Sequence, residues 1–113
     1  MLAEDDLTMQ AVLRTLLELE GFIVSTVPVR QSKEDMLSFI RSEHPQVVLL
    51  DVHLGEISGF EVLRQVRDDP ELSETRIIMT SGMDVQDRCL AEGANGFILK
   101  PFMPDELIQK LRG

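Results

Sequence analysis

Apolar positions along the chain switch between short unbroken runs and sets repeated at helical spacing. Val47-Val48-Leu49-Leu50, Ile77-Ile78-Met79 and Phe97-Ile98-Leu99 are unbroken runs. Such runs predict strands covered on both faces, as at the centre of a parallel sheet. Leu2-Ala3 is a shorter apolar stub, and Phe22 to Val27 is aromatic and β-branched, which predicts a further strand. From Leu7 to Glu20 the residues Met9, Val12, Leu13, Leu16 and Leu17 recur at helical spacing, and Gly21 supplies a stop. Ser32 opens a second helix carrying Met36, Leu37 and Ile40, which ends near His44 because Pro45 follows. A third helix starts at about Gly59, turns Phe60, Leu63 and Val66 inward, and ends before Pro70. Val85 and Leu90 mark a short fourth helix stopped at Gly93, and Leu107, Ile108 and Leu111 form the stripe of a last one. A strand followed by a helix, five times over, predicts an α/β fold. Right-handed crossovers then place helices on both faces of a parallel sheet, giving a doubly wound domain. With no internal repeat or low-complexity segment, residues 1–113 read as one domain.

Composition narrows the functional classes. Hydrophobic residues make up 43% of the 113 positions, too many for a disordered tail and enough for one core. The net charge of −9 argues against direct binding of nucleic acid or anionic lipid. No apolar run approaches the ~20 residues of a membrane span. The lone Cys89 excludes an internal disulfide framework and suits a reducing compartment, so the expected location is the cytoplasm. His44 and His53 are too isolated to form a transition-metal site and are expected at the surface. Cys89 is expected to pack on the sheet and the six methionines to fill the core.

In an open doubly wound sheet, ligands bind beyond the carboxyl ends of the strands. The residues just after each apolar run are therefore the candidates. The first run is followed by Glu4, Asp5 and Asp6, the Val47–Leu50 run by Asp51, the fourth by Thr80, Ser81 and Gly82, and the fifth by Lys100 and Pro101. Acids from separate strands meeting at one rim repel each other unless a cation joins them. An all-oxygen donor set favours Mg²⁺, which binds through one or two carboxylates plus phosphate oxygens. A hydroxyl and an ammonium beside it suit the same phosphate.

The strings AEDD, VVLLDVHLGEISGFEVL, IIMTSG and GANGFILKPF, in that order, resemble the receiver domain of two-component response regulators. The resemblance covers essentially the whole chain. It implies a flavodoxin-like (βα)5 fold with a parallel five-stranded sheet of order 2-1-3-4-5, whose first strand is short here. It implies that Asp51 accepts a phosphoryl group from a phosphohistidine of a sensor kinase or phosphotransfer protein, and that Mg²⁺ is the cofactor. On the same basis Asp5 is a direct metal ligand, Glu4 acts through water, and the main-chain carbonyl of His53 is a third protein ligand beside Asp51. Asp6 is a poorer ligand candidate. Ser81 takes the place of the switch hydroxyl, with Thr80 one position out of register. Lys100, ahead of a cis bond to Pro101, contacts phosphoryl oxygens, and Phe97 stands where the family has a rotamer-switching aromatic. The implied protein is a signalling switch that catalyses only its own phosphorylation and dephosphorylation. It is free to form a homodimer and has no direct contact with nucleic acid or membrane.

Three departures from the family pattern carry expectations. The short first strand leaves ladder hydrogen bonds unmade, at about 1 kcal/mol each. Gly55 replaces the family's proline after the acceptor, which should loosen that loop. The stretch from Ser81 to Lys100 is short, which trims the fourth helix and weakens the case for a dimer built on it. Two other readings remain open from sequence: an interaction module that is never phosphorylated, and a Mg²⁺-dependent phosphatase. The phosphatase chemistry wants a second acid two residues after the nucleophile, where His53 stands.

Overall fold

A computed structural model describes residues 1–27 and 32–113. Its main sheet is parallel and contains β1 (Leu2–Ala3), β2 (Val47–Asp51), β5 (Arg76–Ser81) and β6 (Gly96–Leu99), adjacent in that order. The expected strands at Val47, Ile77 and Phe97 are all present. The expected strand at Phe22–Val27 is not: it survives as a single parallel bridge between Leu2 and Thr26. Leu2 donates its N–H to Ser25 O at 2.8 Å and accepts the Val27 N–H at 2.9 Å. Those two bonds use all that the two-residue β1 can offer on that side, so Phe22 to Val24 have no ladder to join. The bridge still places this segment outside β1, which preserves the spatial order 2-1-3-4-5 for the five sheet segments.

The helices α1 (Leu7–Leu19), α2 (Lys33–Glu43), α3 (Gly59–Asp68), α4 (Gln86–Ala91) and α5 (Pro104–Arg112) divide between the two faces. Strand alternation sends Val48, Leu50, Ile77, Met79 and Phe97 to one face, where they meet residues of α2, α3 and Cys89 of α4. Leu2, Leu49, Ile78 and Ile98 point the other way, onto Leu13 and Leu17 of α1 and Leu107, Ile108 and Leu111 of α5. The caps follow the sequence: Asp6 and Ser32 accept first-turn amides of α1 and α2, and Gly21 adopts a φ of +91° behind α1.

The buried stripes are narrower than periodicity suggests. Val12 and Met9 on α1 are exposed, as is Leu90 on α4, whose inward residue is Cys89. Met36 and Met79 fill the core as expected, whereas Met83 and Met103 join Met9 at the surface. The fourth helix is short, at 6 residues. Two elements were not anticipated. Residues Pro70–Leu72 form a 3-10 turn, and β3 (His53–Leu54) pairs antiparallel with β4 (Ile57–Ser58) in a hairpin directly after the acceptor strand. No helix among the described residues is long and apolar enough to cross a membrane.

Candidate functional site

Glu4 follows β1, Asp51 ends β2, Ser81 ends β5 and Lys100 follows β6, so parallel pairing sets all four at one end of the sheet. Register refines this. Asp51 is paired with Thr80 and Thr80 with Ile98, while Ala3 is paired with Leu50. Alternation then puts Glu4, Asp51, Thr80 and Lys100 on the α1/α5 face, and Ser81 on the opposite face with Phe97.

Carboxylate oxygens of Glu4, Asp5 and Asp51 lie within 4.8 Å of one another. This donor set fits Mg²⁺: it is all oxygen, two of its members are buried, and the exposed Asp5 leaves the third side open to solvent. Lys100 Nζ bridges the buried pair, 2.7 Å from Asp51 Oδ2 and 3.1 Å from Glu4 Oε2. The second oxygen of each carboxylate is also engaged. Asp51 Oδ1 accepts the His53 N–H at 3.1 Å, and Glu4 Oε1 accepts the Asp6 N–H at 3.1 Å. Asp6 itself caps α1 through Thr8 and Met9, which occupies its side chain away from the cluster.

Burial raises the Glu4 carboxyl above its ordinary value; the Asp6 amide and Lys100 pull against this, and the Asp51 charge adds to it. For Lys100, burial alone would lower the ammonium, but its hydrogen bonds and attraction to Asp51 and Glu4 outweigh that and raise it. The two shifts are compatible because the shorter of the lysine's two contacts is with Asp51, so Glu4 receives the weaker relief.

The loop after Asp51 is ordered differently from expectation. Gly55 has φ +63° and donates its N–H to Asp5 Oδ2 at 2.9 Å. A proline could neither adopt that φ nor donate. The glycine thus ties the hairpin turn to the acidic cluster instead of freeing it. Gly59, at the start of α3, is pressed on the acceptor's backbone: a Cβ there would collide with Asp51 O, and its N–H reaches Val52 O at 2.6 Å. Nothing in the local pattern separated this glycine from an ordinary helix start.

Among the described residues, the hydrogen bonds to the cluster's carboxylates come from Lys100 and from main-chain amides, not from the side chains of the remaining expected residues. Ser81 is buried and its Oγ accepts the Met83 N–H at 3.1 Å. Phe97 is already packed in the core, and the bond from Lys100 to Pro101 is cis. The His53 side chain is exposed, as is that of His44.

A sequence model of the response regulator receiver domain matches residues 1–112. The chain belongs to this family. Response regulator receiver domains are the signalling modules of two-component systems rather than conventional enzymes. Among similar proteins is the "Probable transcriptional regulator ycf27" of Galdieria sulphuraria, 35% identical over 115 residues. That match covers 99% of this receiver domain but 43% of the Galdieria sulphuraria protein, so the chain spans less than half of its relative's length. A solved receiver domain of the sensor histidine kinase PA1611 from Pseudomonas aeruginosa is 26% identical, with a TM-score of 0.85 over 98% of this chain and 91% of that one. It has a magnesium ion coordinated in its active-site cleft. The chemotaxis response regulator CheY4 of Vibrio cholerae, 24% identical with a TM-score of 0.86 over 98% of this chain and 92% of that one, shares the fold.

Proposed function

We propose that this receiver domain is a phosphoacceptor switch in which Asp51 takes a phosphoryl group from a sensor histidine kinase or phosphotransfer protein. The observation that carries the reading is the Lys100 ammonium lying between Asp51 and Glu4, beside a cluster of three carboxylates. Asp5, Asp51, the main-chain carbonyl of His53 and, through water, Glu4 would hold Mg²⁺. That ion would supply positive charge against the phosphoryl oxygens. Phosphoryl transfer through a loose transition state needs alignment and charge neutralisation more than covalent assistance.

The chain's own residues divide this work. Asp51, held by Lys100 and the His53 N–H, presents a carboxylate oxygen in line with phosphorus; its O–P bond forms as the bond to the donor breaks. Lys100 then follows the charge onto a phosphoryl oxygen. Ser81, whose Oγ spends a lone pair on Met83 N–H, keeps its O–H free to donate to another. Its movement toward the phosphoryl group would alter the space beside Phe97 on the same sheet face, shifting an equilibrium whose inward member is the one seen here. The domain would catalyse only its own phosphorylation and dephosphorylation, and work in the cytoplasm. The alternative of an unphosphorylated interaction module is the less favoured reading, because it gives no role to the Lys100 contacts with Asp51 and Glu4.

Incubation with Mg²⁺ and acetyl phosphate followed by intact-mass measurement tests the reading. A single labile phosphoryl adduct, absent from Asp51→Asn, is expected. No adduct would favour the interaction module, and continuous release of phosphate from many esters would favour a phosphatase.

A further inference from the structure

Thr80 is an anomaly in an otherwise satisfied site. It is 2% exposed, and its Oγ1 has no hydrogen-bond partner among the described residues. A buried hydroxyl left unpaired is costly, and valine would fill the same space without that cost. The position therefore calls for a partner that the hydroxyl meets in some state of the site.

Sheet order identifies that partner. Lys100 follows β6, and to reach Asp51 on β2 and Glu4 on β1 its side chain must cross β5. Thr80 is the β5 residue paired with both Asp51 and Ile98, and its side chain points to the face that Lys100 crosses. Neighbouring strands are about 4.8 Å apart, so the hydroxyl lies beneath the lysine's path. The ammonium has three N–H groups, and the two carboxylates use two of them. Ser81 lies on the other face of the strand in this state, with its Oγ accepting the Met83 N–H.

We propose that Thr80 is a positioning residue for Lys100: its hydroxyl accepts the third ammonium N–H after a χ1 rotation, and so holds the amine over the acceptor while its other contacts exchange. The Thr80 hydrogen can at the same time go to an oxygen of Asp51, which makes the hydroxyl a link between the two. This role rests on the reading of Asp51 as phosphoacceptor. When a phosphoryl group draws Lys100 away from the Asp51 carboxylate, Thr80 limits how far the lysine can stray.

The test compares the parent with Thr80→Val, Thr80→Ser and Asp51→Asn. With Mg²⁺ and acetyl phosphate, Thr80→Val should lower the maximal rate of adduct formation about tenfold while the half-saturating acetyl phosphate concentration stays unchanged. Thr80→Ser should restore most of that rate. The thermal midpoint of Thr80→Val should equal or exceed the parent's, because an orphan hydroxyl has been removed. Unaltered rates in Thr80→Val would overturn the proposal and leave Thr80 a packing residue. A second readout needs neither metal nor phosphate: hydrogen exchange of the Lys100 ammonium, followed by ¹⁵N NMR, should be faster in Thr80→Val than in the parent or Thr80→Ser. If the parent forms no adduct, the phosphoacceptor reading has failed on its own, and equal exchange in all three proteins would overturn the role of Thr80 as well.

Discussion

Lys100 Nζ lies 2.7 Å from Asp51 Oδ2 although the two residues sit at the ends of strands that are not neighbours, with β5 between them. The contact joins the edge strand β6 to the central strand β2 across the top of the sheet. It leaves a half-buried cation serving two buried acids, and this arrangement governs how the site responds to substitution.

Replacing Lys100 by glutamine removes the counter-charge and leaves Glu4 and Asp51 facing each other in a desolvated site. The loss in metal-free buffer should be about 2 kcal/mol, less than for breaking a fully buried pair because the lysine keeps some solvent access. Urea unfolding in EDTA and again in excess Mg²⁺ measures it. The gap between Lys100→Gln and the parent should narrow with Mg²⁺, and equal stability in EDTA would show that solvent already relieves the acids.

Two carboxyl groups impose opposite pH dependences. Glu92 accepts from Arg64 at 2.6 Å and from Arg88 at 2.9 Å, and these contacts, the Arg64 hydrogen bond foremost, hold it below its ordinary 4.5. Folding favours its ionised form, so its contribution is present above pH 4.5 and disappears as pH falls through the depressed folded value. Glu4 is the reverse. Burial raises it above 4.5, so folding favours the protonated form; its contribution is complete below pH 4.5 and is lost as pH rises through the folded value. In EDTA, Glu92→Gln should flatten the acid limb of the thermal midpoint against pH. Glu4→Gln should gain on the parent as pH climbs from 4.5 toward neutrality. A Glu4→Gln curve parallel to the parent's at every pH would contradict the second expectation.

Gly59→Ala tests whether the helix start positions the acceptor. The added methyl would collide with Asp51 O and stand 3.0 Å from Val52 Cα, both backbone atoms that cannot rotate away. Displacing them should cost about 2 kcal/mol, as overpacking does, and should weaken Mg²⁺ binding by moving the acceptor. Urea unfolding and Mg²⁺ titration give the two numbers. A destabilised protein with parental Mg²⁺ affinity would separate the packing role from the positioning one.

Much of the site is legible in the chain because chemistry follows each apolar run. Glu4, Asp5, Asp51 and Lys100 stand directly after such runs, and a parallel sheet brings those points to one rim whatever else varies. Other features escaped for identifiable reasons. Phe22–Val27 has strand composition but lacks a partner long enough to pair with, and composition carries no information about a neighbour's length. Gly55 has no side chain to reveal that its N–H would close on Asp5, fifty positions earlier. Val12 and Leu90 keep helical spacing yet face water, since spacing defines a helix without defining how much of it the sheet covers.

The amino-acid order alone determined the succession of strands and helices, the acids, hydroxyls and amine at the strand ends, and hence the kind of ligand they suit. These follow from local periodicity and from what one residue type can do. Tertiary structure decided which of those groups meet and which do not: that Lys100 spans β5 to two acids, that Asp6 turns away to cap α1, and that Thr80 is left buried with its hydroxyl unpaired among the described residues. Such distances depend on sheet order, register and face, which arise from the packing of segments remote in sequence and leave no trace in any one of them.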